Sequence, residues 1–102
     1  MSKTATAPYD VAEHLRTREE MAAYLEASIE ESAGDAAFVA KALGDIARAK
    51  GMAQVASDAG LSRESLHKAL SGARKPTFET VLKVVGALDL KLLVEADTAG
   101  PS

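Results

Sequence analysis

Two polar arrays in the sequence carry the residue types that read nucleic acid. Arg63, Glu64, His67 and Lys68 stand one, three or four positions apart, so on a helix all four share one outward edge. A guanidinium at the start of such a helix pairs bidentately with guanine O6 and N7. A major groove about 12 Å wide admits the helix that carries it. Glu64 and Lys68 are equally well spaced for a surface ion pair worth a few tenths of a kcal/mol. The second array is Arg74 and Lys75, followed by Pro76 and Thr77, where a helix begins. There, two cations and the free N–H groups of a first helical turn can meet one phosphate.

Other chemistry finds less support. Asp10, Glu13 and His14 have metal-ligand spacing on a helix, but nothing else converges on them, so no metal is expected. Neither His14 nor His67 is tied by spacing to a serine and an orienting acid, so a catalytic triad has no basis. Gly34, Gly44, Gly51, Gly60 and Gly72 are dispersed as helix punctuation rather than gathered in a phosphate loop. The chain has no cysteine, which removes disulfides, thiolate sites and cysteine nucleophiles. No cofactor and no enzymatic activity are expected.

The elements that must position these arrays follow from capping and periodicity. Thr17 and Glu20 have capping-box spacing and open a helix over 18–32. Its stripe of Met21, Tyr24, Leu25, Ser28 and Ile29 is closed by Gly34. Asp35 caps a second helix, with Phe38, Val39, Ala42, Leu43 and Ile46 on one face and Gly51 at its end. Then come short segments at 52–59, 62–70 and 77–88. Ala56 is small enough for two helices to cross closely, Gly60 suits a left-handed turn, and Ser62 caps the next helix. Val55, Ala59, Leu61, Leu66 and Leu70 point to a shared core. The alternation of Leu90, Leu92 and Val94 predicts a short strand over 90–96. The expected fold is all-α, a bundle of about five helices with a short C-terminal β-strand. The expected organisation is an arm and acidic helix over 1–33, a domain over 34–96 and a disordered tail over 97–102.

With 102 residues, 47% of them apolar, one core is the limit. The net charge of −3 argues against a nucleic-acid partner until its distribution is examined. Residues 1–35 hold three cations against eight carboxylates, a net −5, while residues 48–76 hold six against two, a net +4. Such asymmetry predicts two surfaces, one drawn to phosphate and one to a basic partner. There is no apolar run near 20 residues, and Met1 to Thr6 lack a secretory pattern. The expectation is a cytoplasmic protein with no membrane partner.

Ala56, Gly60, Leu61, Leu66 and Ala69 match the helix-turn-helix pattern, and the run from Ser71 to Leu82 resembles the loop and following helix of phage-repressor-type regulators. More narrowly, the run Gly44-Asp-Ile-Ala-Arg-Ala-Lys-Gly-Met52, with Tyr9-Asp10 and Ala22-Ala-Tyr-Leu25, resembles the addiction module antidotes, the antitoxins of type II toxin-antitoxin modules. The resemblance covers about residues 9–94. It implies a homodimer that neutralises a small basic RelE/ParE-like toxin and represses its own operon. It also implies operator contacts from Gln54, Ser62, Arg63, Glu64, His67, Lys68, Arg74, Lys75 and Thr77. Ala53 departs from the threonine frequent in the family, with the loss of one hydroxyl. The stripe Met21, Tyr24, Leu25 and Ile29 either anchors in a toxin groove or packs on the chain's own core. Leu90, Leu92 and Val94 are the expected dimer seam, since a lone edge strand leaves its backbone groups unpaired. A stand-alone phage-type repressor and a protein-interaction adaptor that does not bind DNA are the alternative readings.

Overall fold

A computed structural model describes residues 15–97 and contains five helices: α1 (Arg18–Ser32), α2 (Ala36–Lys50), α3 (Met52–Ala59), α4 (Arg63–Ala69) and α5 (Phe78–Ala87). The protein is all-helical, with no strand among the described residues. Each boundary has a local cause. The Glu20 N–H donates to Thr17 Oγ1 at 3.0 Å, and Glu20 Oε1 accepts from the Thr17 N–H at 3.1 Å, completing the capping box of α1. The left-handed turn that ends α1 begins at Ala33 (φ 52°), one residue before the expected Gly34, which also has positive φ. Asp35 accepts from the N–H groups of Ala37 and Phe38 and starts α2. Gly51, at φ 125°, donates to the Ala47 carbonyl at 2.8 Å, and α3 follows at once.

One core joins the helices. Leu43 and Ile46 of α2, Val55 of α3, Leu66 of α4 and Val84 of α5 are fully buried, with Leu88 just after α5. α3 packs against α2, α4 and α5, while α1 lies on α2 and contributes Met21 and Leu25 to the same cluster. The expected boundary after residue 33 falls in the α1–α2 loop, and the core continues across it. Tyr24 Oη donates to Asp45 Oδ2 at 2.7 Å, while Asp45 Oδ1 accepts from Arg48 at 2.7 Å, so a polar link crosses the α1–α2 seam. Gly44 is not the helix punctuation expected from the dispersal of the glycines but a contact residue inside α2. A Cβ there would lie 2.8 Å from the Leu70 carbonyl oxygen, so the missing side chain lets the end of α4 close onto α2.

After α5 the chain turns through Asp89 (φ 62°), and the Leu90 N–H donates to the Val85 carbonyl at 3.1 Å. Lys50 Nζ fixes this turn by donating to Asp89 Oδ2 at 3.0 Å and the Ala87 carbonyl at 3.2 Å. Lys50, by hydrogen bond and charge, holds the Asp89 carboxyl below its ordinary value. Residues 91–97 then run without turn or bend. The strand expected over 90–96 is not formed, because a ladder needs a second strand and the described residues supply none. The segment instead forms one wall of a groove opposite Ala22, Glu26 and Ile29 of α1. Among the described residues no helix is long and apolar enough to cross a membrane.

Candidate nucleic-acid interface

The geometry of α4 begins with the turn before it. Gly60 takes the left-handed conformation (φ 73°, ψ 30°), and the Leu61 N–H reaches back to the Ala56 carbonyl at 2.9 Å. Ser62 is extended, and its Oγ accepts from the Ser65 N–H at 2.9 Å, so α4 starts within three residues of the end of α3. Val55, Ala56, Ala59 and Leu66 are buried between the two helices. Once Leu66 is fixed inward, the 3.6-residue period turns Arg63, Glu64, His67 and Lys68 outward, and all four are exposed. Among the described residues none of their side chains makes an ion pair or hydrogen bond, so the Glu64–Lys68 surface pair is not formed.

The loop after α4 is shaped by its own backbone bonds. Ser71 Oγ donates to the Lys68 carbonyl at 3.1 Å and accepts from the Ala73 N–H at 3.1 Å. Gly72 (φ 85°) passes over the stem of Lys41, 3.5 Å from where a Cβ would stand. Arg74 and Lys75 project from this loop, exposed and without a side-chain partner among the described residues. Thr77 Oγ1 accepts from the Thr80 N–H at 3.1 Å and donates to Thr80 Oγ1 at 3.0 Å, which starts α5. The hydroxyls of Ser62 and Thr77 are therefore occupied as caps. Gln54 is exposed on α3, and its Nε2 donates to Asp58 Oδ1 at 2.9 Å, a pairing that the i, i+4 spacing made legible but that was not foreseen.

With this geometry in hand, comparison with known proteins decides the family. Residues 5–96 match the family model described as "Probable addiction module antidote protein". The chain belongs to that family. It is also 52% identical over 87 residues to an "Uncharacterized protein" of Haemophilus influenzae (strain ATCC 51907 / DSM 11121 / KW20 / Rd), covering 85% of this chain and 88% of the relative. No solved structure matches it.

The remaining predicted positions of this antidote-family protein fall into two groups. On α1, Met21 and Leu25 are buried in the chain's own core, Tyr24 is half-buried and bonded to Asp45, and Ile29 is 44% exposed. In the C-terminal segment, Leu90 is half-buried, Leu92 is 40% exposed and Val94 is 97% exposed. Asp10, Glu13 and His14 lie outside the described residues, as do Tyr9 and Asp10 of the family resemblance. Among the described residues no group of three His, Cys, Asp or Glu side chains is placed to hold a metal. Sequence reasoning missed Phe78, which follows the basic loop and is 70% exposed beside an exposed Leu82 one turn on. A phenylalanine in an apolar period reads as core, and only the packing direction of α5 turns it outward.

Proposed function

We propose that this antidote binds operator DNA through α3 and α4 and covers a basic toxin with the outer face of α1. The observation that carries the DNA reading is the helix pair itself: a three-residue turn, a glycine in the left-handed conformation, a shared apolar seam, and an outer edge of unpaired polar groups. In this reading Arg63 reads a guanine, Glu64, His67 and Lys68 contact neighbouring base edges or phosphates, and Arg74 and Lys75 hold the backbone. Gln54 approaches the phosphates from α3, while Ser62 and Thr77 orient the two N-termini. One recognition helix covers only a few base pairs, so the binding unit is a homodimer with half-sites about one helical turn, 34–36 Å, apart.

Family membership supports the toxin reading, with α1 as its surface. Met21 and Leu25 hold the helix down, and Ile29 remains outside among Glu26, Glu30 and Glu31. An exposed apolar residue that shares a groove with Glu26 and Glu30 suits the cationic surface of a small basic RelE/ParE-like toxin, where charge speeds encounter and the apolar contact slows release. Co-expression with the adjacent reading frame, followed by co-purification and a retardation assay on the upstream DNA, tests both halves. Retention of a small basic protein and a salt-sensitive DNA shift are the expected results. Retention without any shift at low salt would leave an adaptor; a shift without a partner would leave a stand-alone repressor.

A further inference from the structure

Residues 91–96 make no hydrogen bond with any part of the described chain, through backbone or side chain. They run straight, and they expose Leu93 (77%) and Val94 (97%), the two most exposed large apolar residues among those described. A straight stretch with free N–H and C=O groups and bare apolar side chains is an edge strand without its sheet. What covers it is written in its charge order. Lys91, Leu93 and Glu95 alternate with Leu90, Leu92, Val94 and Ala96, so a strand here has one wholly apolar face and one on which a leucine separates a cation from an anion. Run antiparallel to itself, that second face is self-complementary.

We propose that a second copy of this chain pairs with residues 90–96 as an antiparallel strand whose two-fold axis passes through Leu93. This deepens the homodimer reading above and rests on it. In that register Lys91 stands opposite Glu95 of the copy on both sides of the axis, Leu93 meets Leu93, Leu92 meets Val94 and Leu90 meets Ala96. Opposite residues point to the same face of the ribbon, so each of these pairs is a side-chain contact. Neighbouring registers fail. With the axis at Leu92, Glu95 faces Asp89, like charge on like. With the axis at Val94, Leu93 faces Glu95 twice. An axis between residues brings the charged face of one strand onto the apolar face of the other. A partner of unrelated sequence would have no need of a charge order that reverses on itself.

A two-stranded ribbon alone is marginal in water, but this one is anchored at both ends. In each chain Leu90 packs on the core, and the turn before it is held by the Lys50–Asp89 ion pair.

The test uses the full chain and five variants at four exposed positions. Size-exclusion chromatography with light scattering is expected to give twice the 10.6 kDa chain mass for the wild type. Lys91→Glu and Glu95→Lys should each move the protein toward monomer, by tenfold or more in dissociation constant, and the double variant Lys91→Glu/Glu95→Lys should restore the dimer. The chain has no native cysteine, so Leu93→Cys should form a disulfide-linked dimer under mild oxidation, while Val94→Cys, off the axis, should link far less. A monomeric wild type would overturn the dimer reading and this proposal together. A stable dimer that ignores both charge variants and does not cross-link through position 93 would overturn this seam alone.

Discussion

At the scale of single residues, the sharpest contrast is between a base contact and a phosphate contact. Among the described residues Arg63 has no intramolecular partner, so Arg63→Ala removes little besides the fork that the DNA reading assigns to a guanine. The expected cost is about 1–3 kcal/mol on the operator, with relaxed preference at one base pair. Lys75→Ala should instead weaken binding to every sequence and lower the salt slope by about one unit. Titrations on operator and random DNA at several salt concentrations separate the two, and equal losses from Arg63→Ala on both DNAs would remove it from base reading. Glycine gives a second contrast, in stability. Gly44→Ala drives a Cβ to 2.8 Å from a backbone oxygen that cannot rotate away, while Gly86→Ala, also helical, meets nothing within 4 Å. Both gain helix propensity of about 1 kcal/mol, but only the first is overpacked, by about 1–3 kcal/mol. Urea unfolding should show Gly86→Ala stabilised and Gly44→Ala neutral to destabilised; a clear gain at Gly44 would mean the α2–Leu70 approach is not fixed.

At the scale of elements, the turn after α5 makes stability depend on pH. Lys50 lowers the Asp89 carboxyl in the folded chain, so the pair contributes stability that is present above the unfolded value of about 3.9 and is lost as pH falls through the folded one. Asn tolerates the left-handed conformation at this position, so Asp89→Asn removes the charge without straining the backbone. A lower Tm than wild type is expected at pH 7, with the two melting curves converging as pH falls below that unfolded value and through the lowered folded one. A gap that persists at the acid end would assign the turn's stability to something other than this pair. The helix ends were legible because Thr17, Asp35, Gly51 and Gly60 announce them through short-range chemistry. So was the outward edge of α4, since Ser62 and Leu66 fix its phase. Three things were not. Ala33 rather than Gly34 takes the first left-handed turn; the role of Gly44 depends on Leu70, 26 positions away; and the burial of Met21 and Leu25 depends on where α2 lies, which a stripe alone does not reveal.

At the scale of the whole molecule, the packing of α1 on the common core decides how the toxin reading must be tested. Truncation to Ala33 is the obvious experiment, yet it removes Met21 and Leu25 from the common core and the Tyr24–Asp45 link with them, so loss of toxin binding would be confounded with loss of fold. Substitutions on the outer face of α1 avoid this. Glu26→Lys with Glu30→Lys reverses two exposed carboxylates, neither of which has an ion-pair or hydrogen-bond partner among the described residues, and Ile29→Ala deletes the apolar contact they flank. The charge reversal should slow association and abolish its acceleration at low salt, since rim charges act mainly on the encounter. Ile29→Ala should chiefly speed dissociation, at a cost of about 1 kcal/mol or more. Both variants should keep the wild-type melting curve and shift operator DNA unchanged, because α4 and the loop bearing Arg74 and Lys75 are untouched. Toxin capture that survives both changes would move the contact off α1; joint loss of toxin and DNA binding would show that the two surfaces are one.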